Sequence, residues 1–196
     1  MAYNTFTIPR LQDEFGLTIT DRGQLFGSRR RIPVPETLTT VLKRYGSLAG
    51  KLSTEKAKSE LIVAPILVEL TLQLDEKMSL FSGIDFSVDD KAGLSGRCDF
   101  VMSRSPLQLV LSKPVCMVVE AKRDDIAAGI PQCLAEMVAA QRFNADHQTV
   151  YGAVTSGTQW RFLQLDGTTA VVDDAEYLVH QIDDIYSILT FIALGE

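Results

Sequence analysis

Histidine and cysteine are scarce in this chain of 196 residues, with two of the first and three of the second. Cys98, Cys116 and Cys133 lie far apart and form no C-x-x-C pair, which argues against a structural zinc site. Their odd number, with no secretory signal pattern, points to a reducing interior and an expected cytoplasmic location. All three sit in apolar runs and read as small core residues. No uninterrupted apolar stretch approaches the ~20 residues that cross a bilayer, so no membrane partner is expected. There is no Gly-rich phosphate loop and no nucleophile elbow, which leaves a small-molecule α/β enzyme without support. Positive charge is also short. Nineteen Lys and Arg stand against 25 Asp and Glu, a net charge of −6. That balance excludes binding of nucleic acid by bulk charge alone.

What is present is apolar mass. At 46% apolar residues the chain can bury a sizeable core, and its length fits one domain, at most with an appended helical arm. Charge is unevenly spread. Residues 1–60 carry 10 Lys/Arg against 6 Asp/Glu, and residues 61–196 carry 9 against 19. The chain therefore divides into a basic, irregular-to-helical extension over 1–52 and a core over 53–196. The basic third can offer a polyanion a landing surface, or be no more than a solvated face.

The first 35 or so residues are broken by Gly16, Gly23, Gly27, Pro33 and Pro35. A short helix is predicted over 36–48, with Gly50 ending it. Ser53 or Thr54 then caps a helix over 55–74, whose apolar positions Leu61, Ile62, Ile66, Leu70 and Leu74 recur at helical spacing. Pro65 should kink or break it. Strands follow over 80–88, 97–103 and 115–121, with a turn at 89–93. A helix over 130–144 opens with Pro131 in its first turn. Strands over 149–155 and 159–166 come next, 169–172 is expected to add a short edge, and a helix over 175–194 closes the chain. A three-stranded meander followed by a helical crossover implies a mixed sheet with helices on both faces, a three-layer α/β fold.

The chemistry concentrates at Glu120-Ala121-Lys122, where the apolar run Val115-Cys116-Met117-Val118-Val119 ends. Alternation sends Glu120 and Lys122 to one face of the strand. Buried charges are costly unless paired or bound to a metal. With 25 acids and 8 lysines, chance alone supplies about one acid-x-Lys triplet, and the chain has three. Asp75-Glu76-Lys77 follows a helix and Asp89-Asp90-Lys91 sits in a turn, where charges meet water. Only Glu120-Ala121-Lys122 is joined to a core strand. Asp99 supplies a second acid. If strands 97–103 and 115–121 form a hairpin whose paired positions sum to 219, Asp99 faces Glu120 with side chains about 5 Å apart. Facing carboxylates repel unless a proton or cation lies between them, and an all-oxygen pair suits Mg²⁺ or Mn²⁺. The same three side chains can also be read as a buried structural ion-pair cluster.

An Asp at a strand start, a spacer, Glu-x-Lys at the end of an apolar strand and a following helix with Gln resemble the PD-(D/E)XK nuclease superfamily, the restriction-endonuclease-like fold. The likeness covers about 54–165 and includes Ser59-Glu60-Leu61-Ile62 and Ile130-Pro131-Gln132-Cys133-Leu134-Ala135-Glu136. The chain is also similar to the N-terminal nuclease region of type I restriction subunits, through Pro65-Ile66-Leu67 and Val154-Thr155-Ser156-Gly157-Thr158-Gln159-Trp160. The usual proline of the motif is absent, since Cys98 precedes Asp99. The resemblance implies an αβββαβ core and a Mg²⁺-dependent endonuclease acting on DNA, with RNA not excluded. Asp99, Glu120 and the Ala121 carbonyl would bind Mg²⁺, or Mn²⁺ as substitute. Lys122 would orient water or steady charge on the phosphate. Glu60 would add a helix acid, with Glu55 as its rival. Gln132 would position water, Lys122 or the phosphate backbone, or else form a solvated helix pair with Glu136, for which a surface position is favoured. Arg29-Arg30-Arg31 are candidate phosphate contacts or an exposed basic run. Trp160 reads as core packing, His147 and His180 as ordinary histidines, and Asp173, Asp174, Glu176, Asp183 and Asp184 as a solvated acidic flank. A homodimer or a partner subunit for DNA recognition would suit an acidic domain. The alternative reading is a catalytically inactive module of this fold that binds nucleic acid or protein.

Overall fold

A computed structural model describes residues 3–27, 30–49, 51, 54–74, 77–146 and 148–195. Arg29, Gly50, Ser53, Asp75, Glu76 and His147 lie outside the described residues. The elements are α1 (Ile8–Phe15), β1 (Thr18–Gly23), α2 (Glu36–Ala49), α3 (Glu55–Lys58), α4 (Ala64–Gln73), β2 (Ser79–Asp85), β3 (Arg97–Ser103), β4 (Val115–Ala121), α5 (Ile130–Asn144), β5 (Val150–Thr155), β6 (Gln159–Asp166), β7 (Thr169–Asp173), β8 (Tyr177–Leu178) and α6 (Ile182–Leu194).

The strands make one mixed sheet in the order β1-β7-β6-β5-β4-β3-β2, with β8 paired to β6. β2, β3 and β4 form the antiparallel meander, and α5 crosses over to bring β5 parallel to β4. All seven residues of β4 are buried, as its unbroken apolar run requires of a strand covered on both faces. On one face α5 packs against Val101, Val118 and Leu163; on the other, α4 and α6 pack against Met117, Val119, Trp160 and Phe162. The result is an α/β protein with an eight-stranded mixed sheet flanked by helices on both sides. Among the described residues, no helix is long and apolar enough to cross a membrane.

The predicted helix over 55–74 is present but not uniform. Thr54 caps α3 by accepting the Ala57 N–H at 3.2 Å, and Pro65 stands in the first turn of α4. Between them, Ser59–Val63 widens into a π turn in which the Ala64 N–H reaches the Ser59 carbonyl. The expected break at Pro65 is thus absorbed just upstream, since its ring clashes with the preceding turn and it has no N–H to donate.

Two expectations are corrected. The last helix begins at Ile182, not near 175, because Tyr177 and Leu178 pair with Trp160 and Gln159 and the Tyr177 ring meets Phe162 edge-on. Asp183 and Asp184 then fill the first turn of α6, where the helix dipole favours anions. Asp173, expected in a solvated flank, is buried and accepts from the Ala175 N–H and the Tyr177 hydroxyl.

The first third, read as a basic, irregular-to-helical extension, is built into the sheet and both cores. β1 runs parallel to β7, so β7, expected as a short edge, is flanked on both sides; Tyr3, Phe6 and Leu11 join the α5 side, and Phe26 and Leu38 join the other. Its glycines are punctuation rather than disorder: Gly16 ends α1 at φ 65°, where its N–H returns to the Leu11 carbonyl. We expect Leu11→Ala, which empties a fully buried site, to destabilise the whole fold by about 2–5 kcal/mol in a single denaturant transition. A separate minor transition, with the main one unmoved, would show that the segment is an independent arm.

Candidate functional site

The β3–β4 hairpin adopts the register inferred from the sequence. Phe100 pairs with Val119, Val101 with Val118 and Met102 with Met117. One step further the same register opposes Asp99 and Glu120. There the ladder ends, and Asp99 Oδ2 accepts the Ala121 N–H at 2.8 Å in place of a backbone carbonyl. On the other side the Lys122 N–H donates to the Thr155 carbonyl at 2.8 Å, which carries the pairing with β5 one residue beyond β4.

From this strand end a chain of polar contacts runs into α5. Lys122 Nζ donates to Glu120 Oε1 at 2.6 Å and to Gln132 Oε1 at 2.9 Å. Gln132 Nε2 donates to Glu136 Oε1 at 3.1 Å. Gln132 therefore belongs to the site. Glu136, for which a surface position was favoured, is corrected to fully buried. The available signal was its setting: it is the lone charge among Cys133, Leu134, Ala135, Met137, Val138, Ala139 and Ala140, all buried. Asn144, which sequence reasoning passed over, fixes the far end of the same helix. Its side chain accepts from the Val115 N–H and donates to the Val115 carbonyl, both at 2.8 Å. Both ends of α5 are thus tied to β4, one by Asn144 and one by Gln132.

A cleft of about 420 Å³ opens beside the strand ends. Glu55 and Glu60 face it from the helical side, and Gly83, Arg97, Asp99 and Ala121 from the sheet. Lys58 staples the helix to the loop after β4, donating to the Arg123 carbonyl at 2.8 Å and to Asp124 Oδ1 at 3.0 Å. Glu60 pairs with Lys56 at 3.7 Å and is largely exposed. Glu55 is the acid whose charge acts on Glu120 and Lys122. The helix thus offers two acids to one cleft, and the rival of the favoured residue lies electrostatically nearer the centre. Among the described residues no three His, Cys, Asp or Glu side chains gather tightly enough to enclose an ion. A larger hollow of about 810 Å³, beside Phe15 and Arg142, shares no residue with this cleft.

Two of the three expected basic contacts, Arg30 and Arg31, stand apart from it. Arg29 lies outside the described residues, Arg30 is exposed, and Arg31 pairs with Asp184 of α6 at 3.5 Å. Neither Arg30 nor Arg31 lines the cleft. Trp160 is fully buried and donates to the Gly157 carbonyl, as its core reading required.

No protein-family model matches the chain, and no curated protein matches it.

Burial pushes the Glu120 carboxyl up to about 7, with the Asp99 charge adding to the rise and Lys122 opposing it. Burial, reinforced by the Glu120 charge, holds Glu136 well above the ordinary carboxylate range. For Lys122, burial acts downward, but the hydrogen bond and charge of Glu120 outweigh it and hold the ammonium above its usual range. Lys122 is accordingly a protonated donor at neutral pH. One carboxylate oxygen each of Glu120 and Glu136 is buried without a hydrogen-bond partner among the described residues.

Each raised acid binds its proton more tightly folded than unfolded. The contribution of Glu120 and Glu136 to metal-free stability is therefore fully present in acid and is lost as pH climbs through their folded pKa values. Glu136→Gln removes one of these acids. Its melting temperature should exceed that of the wild type by a few degrees at alkaline pH, with the gap closing in acid. Parallel pH profiles for the two proteins would show that Glu136 does not contribute.

Proposed function

We propose that the chain is a Mg²⁺-dependent nuclease that hydrolyses DNA phosphodiester bonds in this cleft, on a restriction-endonuclease-like core formed by α3–α4, β2–β4, α5 and β5. The observation that carries the reading is the second oxygen of Glu120, buried and without a hydrogen-bond partner among the described residues, on the strand position opposite Asp99. Such an oxygen costs free energy unless something binds it. The donors nearby are carboxylates and a carbonyl, a set that fits a hard divalent cation. Asp99, Glu120 and the Ala121 carbonyl would hold it, with Glu55 or Glu60 contributing from across the cleft. A divalent cation so held supplies Lewis-acid polarisation of a phosphoryl oxygen and lowers the pKa of nearby water.

The chain's own residues do the rest. Lys122 keeps its proton on Nζ and presents a fixed positive donor to water or to charge growing on the phosphate. Gln132 accepts from Nζ and so sets its direction, and Glu136 holds the Gln132 amide. Asp99 also accepts the Ala121 N–H, and the Lys122 N–H, in the same peptide unit as the Ala121 carbonyl, donates to Thr155, so both flanking peptides of Ala121 are fixed. The test is nicking of supercoiled DNA in Mg²⁺ by the wild type and by Asp99→Ala and Glu120→Ala. Cleavage by the wild type alone is expected. Equal cleavage by both variants would overturn the assignment.

The closed Glu120–Lys122 pair favours a second reading, an inactive module in which the cluster is purely structural. Calorimetric Mn²⁺ titration separates the two, since a structural cluster already neutralised by Lys122 has no need of the ion.

A further inference from the structure

Gly83 interrupts β2 at φ 61°, in the left-handed region. Its neighbours Ser82 and Ile84 pair with Phe100 and Cys98, which leaves Gly83 level with Asp99 and out of the ladder. A β-carbon on Gly83 would lie 2.7 Å from an Nη of Arg97. The guanidinium therefore occupies the space a side chain would take, at the cleft and two residues before Asp99 on the same strand. It is exposed and forms no hydrogen bond or ion pair among the described residues. Asp85, its cross-strand neighbour, instead accepts from the Ser87 hydroxyl at 2.6 Å. The other cation lining the cleft, Lys56, is paired with Glu60. A cleft rimmed by Glu55, Glu60 and Asp99 repels a polyanion, so an uncommitted guanidinium there is the group able to receive one. Its planar fork suits two oxygens of one phosphate.

We propose that Arg97, held over Gly83, is the phosphate-binding residue of the cleft and takes a nucleic-acid backbone phosphate beside Asp99. The inference rests on reading the cleft as a nuclease site, and it assigns substrate recognition to a residue that this reading leaves unused. The test is binding of a short end-labelled DNA duplex in Ca²⁺, followed by fluorescence anisotropy over a range of salt concentrations, together with KM and kcat for nicking in Mg²⁺. Arg97→Ala should weaken binding about tenfold or more, lower the slope of log affinity against log salt by about one, and act on KM rather than kcat. Arg97→Lys, which keeps the charge and loses the fork, should fall between. Gly83→Ala, whose methyl displaces the guanidinium, should resemble Arg97→Ala while still melting cooperatively. A wild type that nicks DNA, with Arg97→Ala unchanged in affinity, salt slope and KM, would overturn this inference and leave the nuclease reading standing. A wild type that neither nicks DNA nor binds Mn²⁺ would overturn the nuclease reading. In that case a reduced salt slope for Arg97→Ala still supports the phosphate contact, and an unchanged slope removes it.

Discussion

Glu120→Gln and Lys122→Met should each lower DNA cleavage by at least about a hundredfold, and only the first should abolish Mn²⁺ binding. The two residues are hydrogen-bonded to each other at 2.6 Å, so loss of activity alone does not separate their roles. The metal measurement does. Glu120→Gln removes an anionic ligand and leaves a neutral amide of the same shape. Lys122→Met keeps the apolar stem that lies against Gly129 and removes the ammonium. Without that ammonium the Glu120 carboxyl loses the group that holds its pKa down, so Mn²⁺ binding should persist with its pH dependence moved toward alkali. Stopped assays of nicking and calorimetry on the same preparations check both halves. Lys122→Met cleaving at the wild-type rate would reduce Lys122 to a structural counter-ion.

Mn²⁺ affinity of the wild type should rise about tenfold per pH unit below pH 7 and flatten above it. The cause is the Glu120 carboxyl, which burial pushes up to about 7 in the metal-free protein. To coordinate, that carboxyl must give up its proton, so acid competes with the metal. Across two units below the midpoint the loss is about a hundredfold. Titration in two buffers of different ionisation enthalpy should reveal up to one proton released per ion at low pH and none at high pH. An affinity independent of pH would mean that the ion does not use Glu120.

Much of the scaffold was readable beforehand, and some of the site was. The strands over 97–103, 115–121 and 159–166 and the helix over 130–144 lie where the apolar periods put them. The placement of Asp99 opposite Glu120 followed from one assumed hairpin centre, and the pairs Phe100–Val119, Val101–Val118 and Met102–Met117 keep that register up to the last step before them. Glu136 was misread because Gln132 and Glu136, four apart, look the same on a wet helix as on a buried one. What distinguishes them is the N-terminal segment closing over α5, with Tyr3 and Leu11 in the same core cluster. That contact joins residues more than a hundred positions apart, and no local pattern announces it.

The order of helices and strands from α2 to β7, the antiparallel meander with its helical crossover, and the acids near the start of β3 and the end of β4 were legible in the sequence alone, since each depends on patterns within a few residues. Which helix acid bears electrostatically on Glu120, where Arg97 rests and how deeply Glu136 is buried were decided only by the tertiary structure. A π turn rotates one helix, a single glycine opens one strand, and the dry packing around α5 is made by segments distant in the chain, so burial and charge at the site are properties of the assembled fold.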